Sequence, residues 1–332
     1  MSAESQTADP TLIEPRMDGD SGLREPTYFF DTAVVKNRIY ARTLKLPKLI
    51  YGIVGVIVFF AAIFTVITAG GLLAQLASAG VKDKVLAGVI PLAAGFGLVW
   101  VGFLIYARKA GFRAVGFRRG GVAKKIVLGL VLGLVLAAAV MLFTLLLTGT
   151  PIVFNGAVFA TSSFWTGVGI TFVAYMIQGS AEEFVYRSML PKFLARKYGA
   201  IGIIVLSTIA FSIAHFVNGI KDPTVFLYTG TLGLFFVLLA LATESLWTVT
   251  AMHGAYNFSV GFLSTQVLTI SEGNDSGITS QLVTTGLGIL GVVIVLIVLR
   301  TKRPGWQHER LTAETVAPES ANPERAVDQQ PA

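Results

Sequence analysis

The chain has 332 residues, of which 54% are hydrophobic and only 14% charged. A soluble protein of this length could not bury so much apolar surface, so the composition indicates an integral membrane protein. Cysteine is absent, which excludes disulfides and thiolate metal ligands. The net charge of +7 does not predict a nucleic-acid partner, because the basic residues cluster in short loops beside apolar segments, where they set membrane orientation.

The two ends of the chain are polar and lack hydrophobic periodicity. We expect residues 1–35 and residues 304–332 to form disordered cytoplasmic tails. Residues 36–303 then form one transmembrane domain. No cleavable signal peptide is predicted, because the polar N-terminal region contains no short apolar core.

Eight apolar segments lie between the tails, each long enough to cross about 30 Å of hydrocarbon as a helix. A backbone in lipid must satisfy its own hydrogen bonds, and the long uninterrupted segments favour helices over a barrel. We therefore predict an all-α, polytopic membrane protein with about eight transmembrane helices and an active site inside the helix bundle. The segments are 50–77, 85–107, 126–149, 164–188, 199–218, 224–243, 245–265 and 279–299.

Loop charges predict the orientation of these segments. The loop between the second and third segments carries Lys and Arg residues and no acidic residue. With eight crossings, this loop and both tails fall on the same side, which the positive-inside rule assigns to the cytoplasm. We expect a multi-pass protein of the plasma membrane with both termini cytoplasmic. Four glycines inside the second and third segments are predicted to allow close helix packing: Gly95, Gly97, Gly129 and Gly133.

Ionisable residues interrupt the fourth apolar segment. Residues 151–181 carry no charge, and then Glu182, Glu183 and Arg187 follow within six positions. A charged side chain at membrane depth is costly and marks a candidate functional site.

Two of the three histidines, His215 and His253, lie in later apolar segments. The fourth and fifth segments form a predicted hairpin with a basic tip, and Glu182 and His215 lie almost symmetrically about that tip, which predicts a similar depth. His253 lies a short distance inside the seventh segment, and Asn257 follows it by one helical turn. We therefore expect these side chains to meet at one level, nearer the cytoplasmic side.

Helical geometry separates the roles of the two glutamates. Glu183 and Arg187 have the i, i+4 spacing of a favourable ion pair, so we predict a supporting, structural pair. Glu182 points about 100° away and is left to face the histidines. A carboxylate with a histidine can deprotonate a water, and a second histidine with an Asn can donate hydrogen bonds to an oxyanion. These parts are sufficient for hydrolysis of an amide within the membrane.

A metal site is a second interpretation of the same residues. Glu182, His215 and His253 would supply one carboxylate and two imidazoles, a usual zinc set with an open position for water. The spacing differs from the histidine pair on one helix face that soluble zinc proteases use. The residues alone leave both types of chemistry open.

Three motifs in order carry a family resemblance: Glu182-Glu183-x-x-x-Arg187, Phe211-x-x-x-His215 and His253-x-x-x-Asn257. Over about residues 164–260, the chain resembles the CAAX prenyl protease and bacteriocin-processing family of intramembrane endopeptidases, also called CPBP or Abi. The resemblance implies that Glu182 activates water with His215, that His253 and Asn257 stabilise the oxyanion, and that Glu183 and Arg187 support them. Family members have been described as metalloproteases and as glutamic proteases; we favour the glutamic type with no cofactor, with zinc as the alternative.

The chain departs from the family pattern at two places beside the glutamates. Family members often carry a Pro shortly before the paired glutamates and a Gly directly after the Arg. Here the sequence reads Gln178-Gly179-Ser180-Ala181 and Arg187-Ser188. We expect the lost Gly to change how the helix ends near the active site.

The expected function is that of an intramembrane endopeptidase, with a membrane-associated protein or peptide as substrate and the lipid bilayer as its surroundings. The first alternative is a non-catalytic membrane accessory or bacteriocin self-immunity protein, in which the polar cluster serves binding. The second alternative, a transporter, has less support, because no internal repeat is apparent and the ionisable groups converge instead of forming a relay across the membrane.

Overall fold

The computed structural model describes residues 47–57, 61, 64, 67–68, 84–110, 116–117, 120–149, 152–194, 198–218, 222–270 and 276–302. Both predicted tails lie outside the described residues, as does most of the first predicted segment beyond Ile57. The described part of the chain is almost entirely helical.

The α-helices of the described residues are α1 (Lys48–Ile57), α2 (Lys84–Ala110), α3 (Val122–Thr148), α4 (Ser162–Glu183), α5 (Leu190–Leu194), α6 (Ala200–Asn218), α7 (Pro223–Thr243), α8 (Leu246–Phe258), α9 (Ser264–Gln266) and α10 (Ser276–Lys302). A π-helical segment, Phe184–Met189, joins α4 to α5, and a second one, Ser259–Leu263, joins α8 to α9. A 3₁₀-helix at Gly156–Ala160 precedes α4.

The helical, membrane-like class of the chain is confirmed. Seven of the eight predicted segments coincide with helices or with helices continued by a π-helical segment, and the remaining one, 50–77, begins in α1. Within the described residues, α3, α7 and α10 are long and apolar enough to cross a membrane, judged by length and composition. The figure of eight crossings stays a prediction.

Two short strands add to the predicted all-α fold. Residues Ile152–Phe154 (β1) pair antiparallel with Leu268–Ile270 (β2), with Val153 opposite Thr269. The strands lie in the α3–α4 and α9–α10 connections, so they tie those two connections together at the same end of the bundle. Three residues per strand are too few for a periodic pattern in the sequence, and the prediction therefore missed them.

Helix α8 is the buried centre of the bundle and packs between α3 and α4. The contact with α3 depends on small residues: a Cβ on Gly129 would lie 2.7 Å from Ala251 Cβ, and a Cβ on Gly133 would lie 2.9 Å from Ala255 Cβ. These distances confirm the packing role predicted for both glycines. On α2, Gly95 also has a close neighbour, whereas a Cβ on Gly97 would meet none of the described residues within 4 Å, so the packing role of Gly97 stays a prediction.

Helices α4 and α8 approach each other backbone to backbone at a pair of glycines. A Cβ on Gly179 would lie 2.8 Å from the backbone nitrogen of Gly254, and a Cβ on Gly254 would lie 3.0 Å from Cα of Met176. Any larger side chain at either position would push the helices apart. This crossing places the paired glutamates of α4 directly beside the histidine of α8.

Candidate active site

The carboxylate of Glu182 is the centre of a buried polar cluster. The residue lies near the end of α4 and is 6% exposed. Its Oε1 accepts a hydrogen bond of 3.1 Å from Nε2 of Gln178, one turn earlier on α4. Its Oε2 lies 3.6 Å from Nε2 of His215 and 3.8 Å from Nε2 of His253, and it has no hydrogen bond to any described residue. The structure thus brings together the acid and both histidines that the sequence singled out.

Both imidazoles are held by their Nδ1 atoms. His215 Nδ1 lies 2.9 Å from the carbonyl oxygen of Phe211, and His253 Nδ1 lies 2.8 Å from Oε1 of Glu183. A carbonyl or carboxylate oxygen accepts hydrogen bonds, so in each ring Nδ1 must be the donor. In its neutral form each ring therefore presents a bare Nε2 toward Glu182.

Three hydrogen-bond acceptors consequently face one another around Glu182 Oε2. The separations of 3.6 and 3.8 Å are too long for direct hydrogen bonds. A water molecule fits this arrangement chemically, because its two hydrogens can bond two of the acceptors while its oxygen remains nucleophilic. The cluster can therefore hold and polarise a water.

The ion pair predicted from the i, i+4 spacing is present. Arg187 Nη1 lies 3.1 Å from Oε1 of Glu183, and both residues are fully buried. The same carboxylate oxygen also receives the hydrogen bond from His253, a contact that the sequence did not predict. Glu183 therefore connects Arg187 to the catalytic candidate on α8 instead of serving Arg187 alone.

The buried guanidinium of Arg187 has partners on two further helices besides Glu183. Its Nη2 donates a hydrogen bond of 3.2 Å to the carbonyl of Gly233 on α7. Its Cζ atom lies 4.2 Å from the centroid of the Phe211 ring on α6 and 5.5 Å from the centroid of the Phe236 ring on α7. Such partners offset the cost of burying the charge. Arg187 therefore ties α4, α6 and α7 together around the cluster.

The π-helical segment Phe184–Met189 begins directly after Glu183 and contains Arg187. Segments of this kind are frequent at functional sites. The chain then continues into α5, which ends at Leu194. The helical rod therefore continues past Arg187-Ser188, where family members often carry Gly, and does not end beside the cluster.

Asn257 is the one predicted site residue that the structure does not join to the cluster. It is half-buried on α8, one turn after His253. Within the described part of the chain, no group makes a hydrogen bond or ion pair with its side chain. Its amide is therefore available as a donor.

Sequence reasoning assigned no role to two polar residues that the structure places near Glu182. Gln178 donates to its carboxylate, and Tyr228 of α7 is near enough to interact with it electrostatically. The i, i+4 spacing of Gln178 and Glu182 is a signal in the sequence that could have found the first contact. Tyr228 lies 46 positions after Glu182, and no local pattern links the two.

The donor types of Glu182, His215 and His253 match those of a zinc site. In the part of the chain that the structure describes, no group of three or more His, Asp or Glu side chains could hold a metal ion. The two Nδ1–H bonds would otherwise suit metal ligands.

The cluster opens toward α6. The side chain of His215 is 30% exposed, whereas those of Glu182 and His253 are 7% and 4% exposed. A substrate and water would therefore approach from the side of His215.

The comparison with known families agrees with the motifs. Residues 163–259 match the family model described as type II CAAX prenyl endopeptidase Rce1-like. The matched range contains all the predicted site residues: Glu182, Glu183, Arg187, His215, His253 and Asn257. None of the curated proteins matches the chain. At the level of the family, the match supports an intramembrane endopeptidase that acts on a protein in the membrane. The resemblance carried by the three motifs is thus confirmed, because residues 163–259 match the model of the Rce1-like type II CAAX prenyl endopeptidases.

Proposed function

We propose that this protein hydrolyses a peptide bond in a membrane-associated protein or peptide, using a water activated by Glu182 and His215. One observation carries the proposal. Glu182 Oε2 is buried, has no hydrogen bond to a described residue, and lies within 4 Å of the Nε2 atoms of two histidines whose other nitrogens are already bonded.

The first step is attack of water on the scissile carbonyl. A water between Glu182 and His215 donates one hydrogen to Oε2 and the other to Nε2. As its oxygen bonds to the carbonyl carbon, the first of these protons passes to Glu182, which acts as the general base. Gln178 holds the other oxygen of that carboxylate, so the reacting oxygen keeps its direction.

The second step is collapse of the tetrahedral intermediate. The oxyanion accepts hydrogen bonds from the Asn257 amide and from Nε2 of His253, which donates when that ring is protonated. The C–N bond then breaks, and the proton held by Glu182 passes to the leaving amine. The carboxylate is regenerated, and water has been added across the peptide bond.

Glu183 and Arg187 do not contact the reacting atoms and act through His253. The carboxylate of Glu183 accepts the Nδ1–H of His253 and so fixes the orientation of that ring. The guanidinium of Arg187 compensates the buried negative charge of Glu183. Together they keep the oxyanion donor in place.

The proposed setting is the plasma membrane, with eight crossings and both termini in the cytoplasm. The basic loops and tails support this orientation. In such a topology, the α5–α6 connection is cytoplasmic, and α8 enters the membrane from the same side. His253 is the eighth residue of α8, so it lies about 10 Å along the helix from that end. The active site would therefore be reached from the cytoplasm.

The testing experiment compares new protein chain ends in membranes of cells that carry the native protein or Glu182→Ala at equal level. Thr166→Val is the matched control, because Thr166 is exposed on the same helix far from the cluster. Chain ends that vanish only with Glu182→Ala would support proteolysis and identify candidate substrates. Identical chain ends, together with a cellular phenotype that survives the substitution, would contradict it in favour of an accessory protein.

A further inference from the structure

We propose that Gln178 is a positioning residue, which holds the carboxylate of Glu182 with Oε2 directed at the two imidazoles. The inference rests on the proposed hydrolytic function. Gln178 lies one turn before Glu182 on α4, and its Nε2 donates a hydrogen bond of 3.1 Å to Oε1. Among the described residues, no other hydrogen-bond donor reaches this carboxylate.

The chemistry of the two side chains fixes the orientation of the Gln178 amide. An ionised carboxylate only accepts hydrogen bonds, so the amide must turn its NH₂ group toward Glu182. The amide oxygen then points away, and it is buried with no hydrogen-bond partner among the described residues. An unsatisfied buried acceptor costs free energy. Because of this cost, a contribution to helix stability does not explain why a glutamine stands at this position.

Glu182 needs such an anchor because its other surroundings do not hold it. The two Nε2 atoms near Oε2 carry lone pairs in the neutral rings, so without a proton or water between them they repel the carboxylate. Once Oε1 is bonded to Gln178, the carboxylate group is held in one rotational position, with Oε2 directed at the histidines. The donated hydrogen bond also stays in place while a water or a proton comes and goes at Oε2.

The turn that carries Gln178 and Glu182 is itself fixed from outside the helix. Between them lies Ser180, whose Oγ accepts a hydrogen bond of 2.7 Å from Nε1 of Trp100 on α2. On the next face, Gly179 touches Gly254 of α8. Gln178 therefore projects from a turn that cannot easily rotate, which is what a positioning role requires.

Two substitutions test this role, with Thr166→Val as control. The readout is the rate at which Glu182-dependent chain ends form in isolated membranes with equal amounts of each protein. Gln178→Leu keeps the volume and removes the donor, and we expect the rate to fall about tenfold, as for a lost hydrogen bond to a charged group. Gln178→Glu should be inactive at neutral pH and should regain activity as the pH falls, because only its protonated carboxyl can donate to Glu182. A merely structural role would not produce this recovery.

The outcomes separate this inference from the proposed function. A native rate in Gln178→Leu, or a Gln178→Glu variant with the pH profile of the native protein, would overturn the positioning role and leave the protease standing. If Gln178→Leu fails to accumulate in membranes, the pH profile of Gln178→Glu decides. Native membranes that yield no Glu182-dependent chain ends would overturn the protease and, with it, this inference.

Discussion

His253 and Glu183 are joined by a hydrogen bond of 2.8 Å between Nδ1 and Oε1, across 70 positions of the chain. The contact lies directly after the crossing of α4 and α8 at Gly179 and Gly254. It fixes which nitrogen of His253 carries the hydrogen, and therefore which nitrogen faces Glu182. The two adjacent glutamates consequently differ in environment: Glu183 contacts Arg187 and His253 through Oε1, whereas Glu182 faces the Nε2 atoms of two histidines through Oε2.

Substitution of Glu182 should remove activity and leave the fold intact. Glu182→Gln keeps the shape of the side chain but cannot take a proton, and His215→Ala removes the second group that orients the water. We expect either change to lower the cleavage rate at least about 100-fold, the usual lower bound for a general base. Cleavage rates and thermal unfolding in detergent should be measured together. A variant that unfolds at the native temperature and still cleaves at the native rate would contradict the mechanism.

Substitution of Glu183 should mainly reduce stability. Glu183→Ala leaves Arg187 buried without its carboxylate, and breaking a buried ion pair of this kind costs about 3–5 kcal/mol. We expect a lower free energy of unfolding and lower membrane levels than for Glu182→Ala, which loses no such pair.

A double variant separates the charge of this pair from its shape. Replacing both members by apolar residues, Glu183→Leu with Arg187→Met, should recover stability because no uncompensated charge remains. Activity should not return, because His253 loses its Nδ1 partner. Recovery of cleavage in this double variant would show that Glu183 is not needed to orient His253.

The glycine crossing should tolerate no side chain. Gly179→Ala would place a Cβ 2.8 Å from the backbone nitrogen of Gly254, and backbone cannot move aside cheaply. We expect a loss of about 1–3 kcal/mol from overpacking, together with reduced cleavage because Glu182 moves away from His253. Gly169→Ala on the same helix is the matched control, since a Cβ there meets no described residue within 4 Å. If Gly179→Ala and Gly169→Ala lower the free energy of unfolding equally, the contact between Gly179 and Gly254 is not the cause.

Cleavage by a glutamic mechanism should survive metal removal. The expectation follows from the proposed mechanism, in which Glu182 and His215 activate a water without a metal ion. Purified protein treated with a strong zinc chelator should retain its rate, and metal analysis should find far less than one zinc per chain. Loss of activity that returns with added zinc would instead assign Glu182, His215 and His253 as ligands.

The orientation can be measured directly because the chain contains no cysteine. Single cysteines at Ser5, Asn155 and Ser320 would be labelled in intact cells with a membrane-impermeant maleimide. We expect labelling at Asn155, which is exposed between β1 and the 3₁₀-helix. The cysteines at Ser5 and Ser320 should react only after lysis. Labelling of either tail in intact cells would contradict the predicted even number of crossings with cytoplasmic termini.

Local sequence patterns determined the helices, the contacts between neighbouring turns of one helix, and the identity of the ionisable residues in the site. Apolar length alone predicts the helices, because a backbone in lipid has few alternatives. The Glu183–Arg187 pair follows from i, i+4 spacing, and the same rule contains the Gln178–Glu182 contact. Rare ionisable residues in apolar segments identified the acid and both histidines, because burying charge without purpose is costly.

Only the tertiary structure decided how these groups face one another. The bond from His253 to Glu183, the direction of each Nε2 and the separation of Asn257 from the cluster depend on how far helices rotate about their axes. That rotation is set by side-chain packing between distant segments, above all by the contact of Gly179 with Gly254. No single helix carries this information. The sequence by itself therefore determined which chemical groups the site contains, and packing decided which atom of each group is left for the reaction.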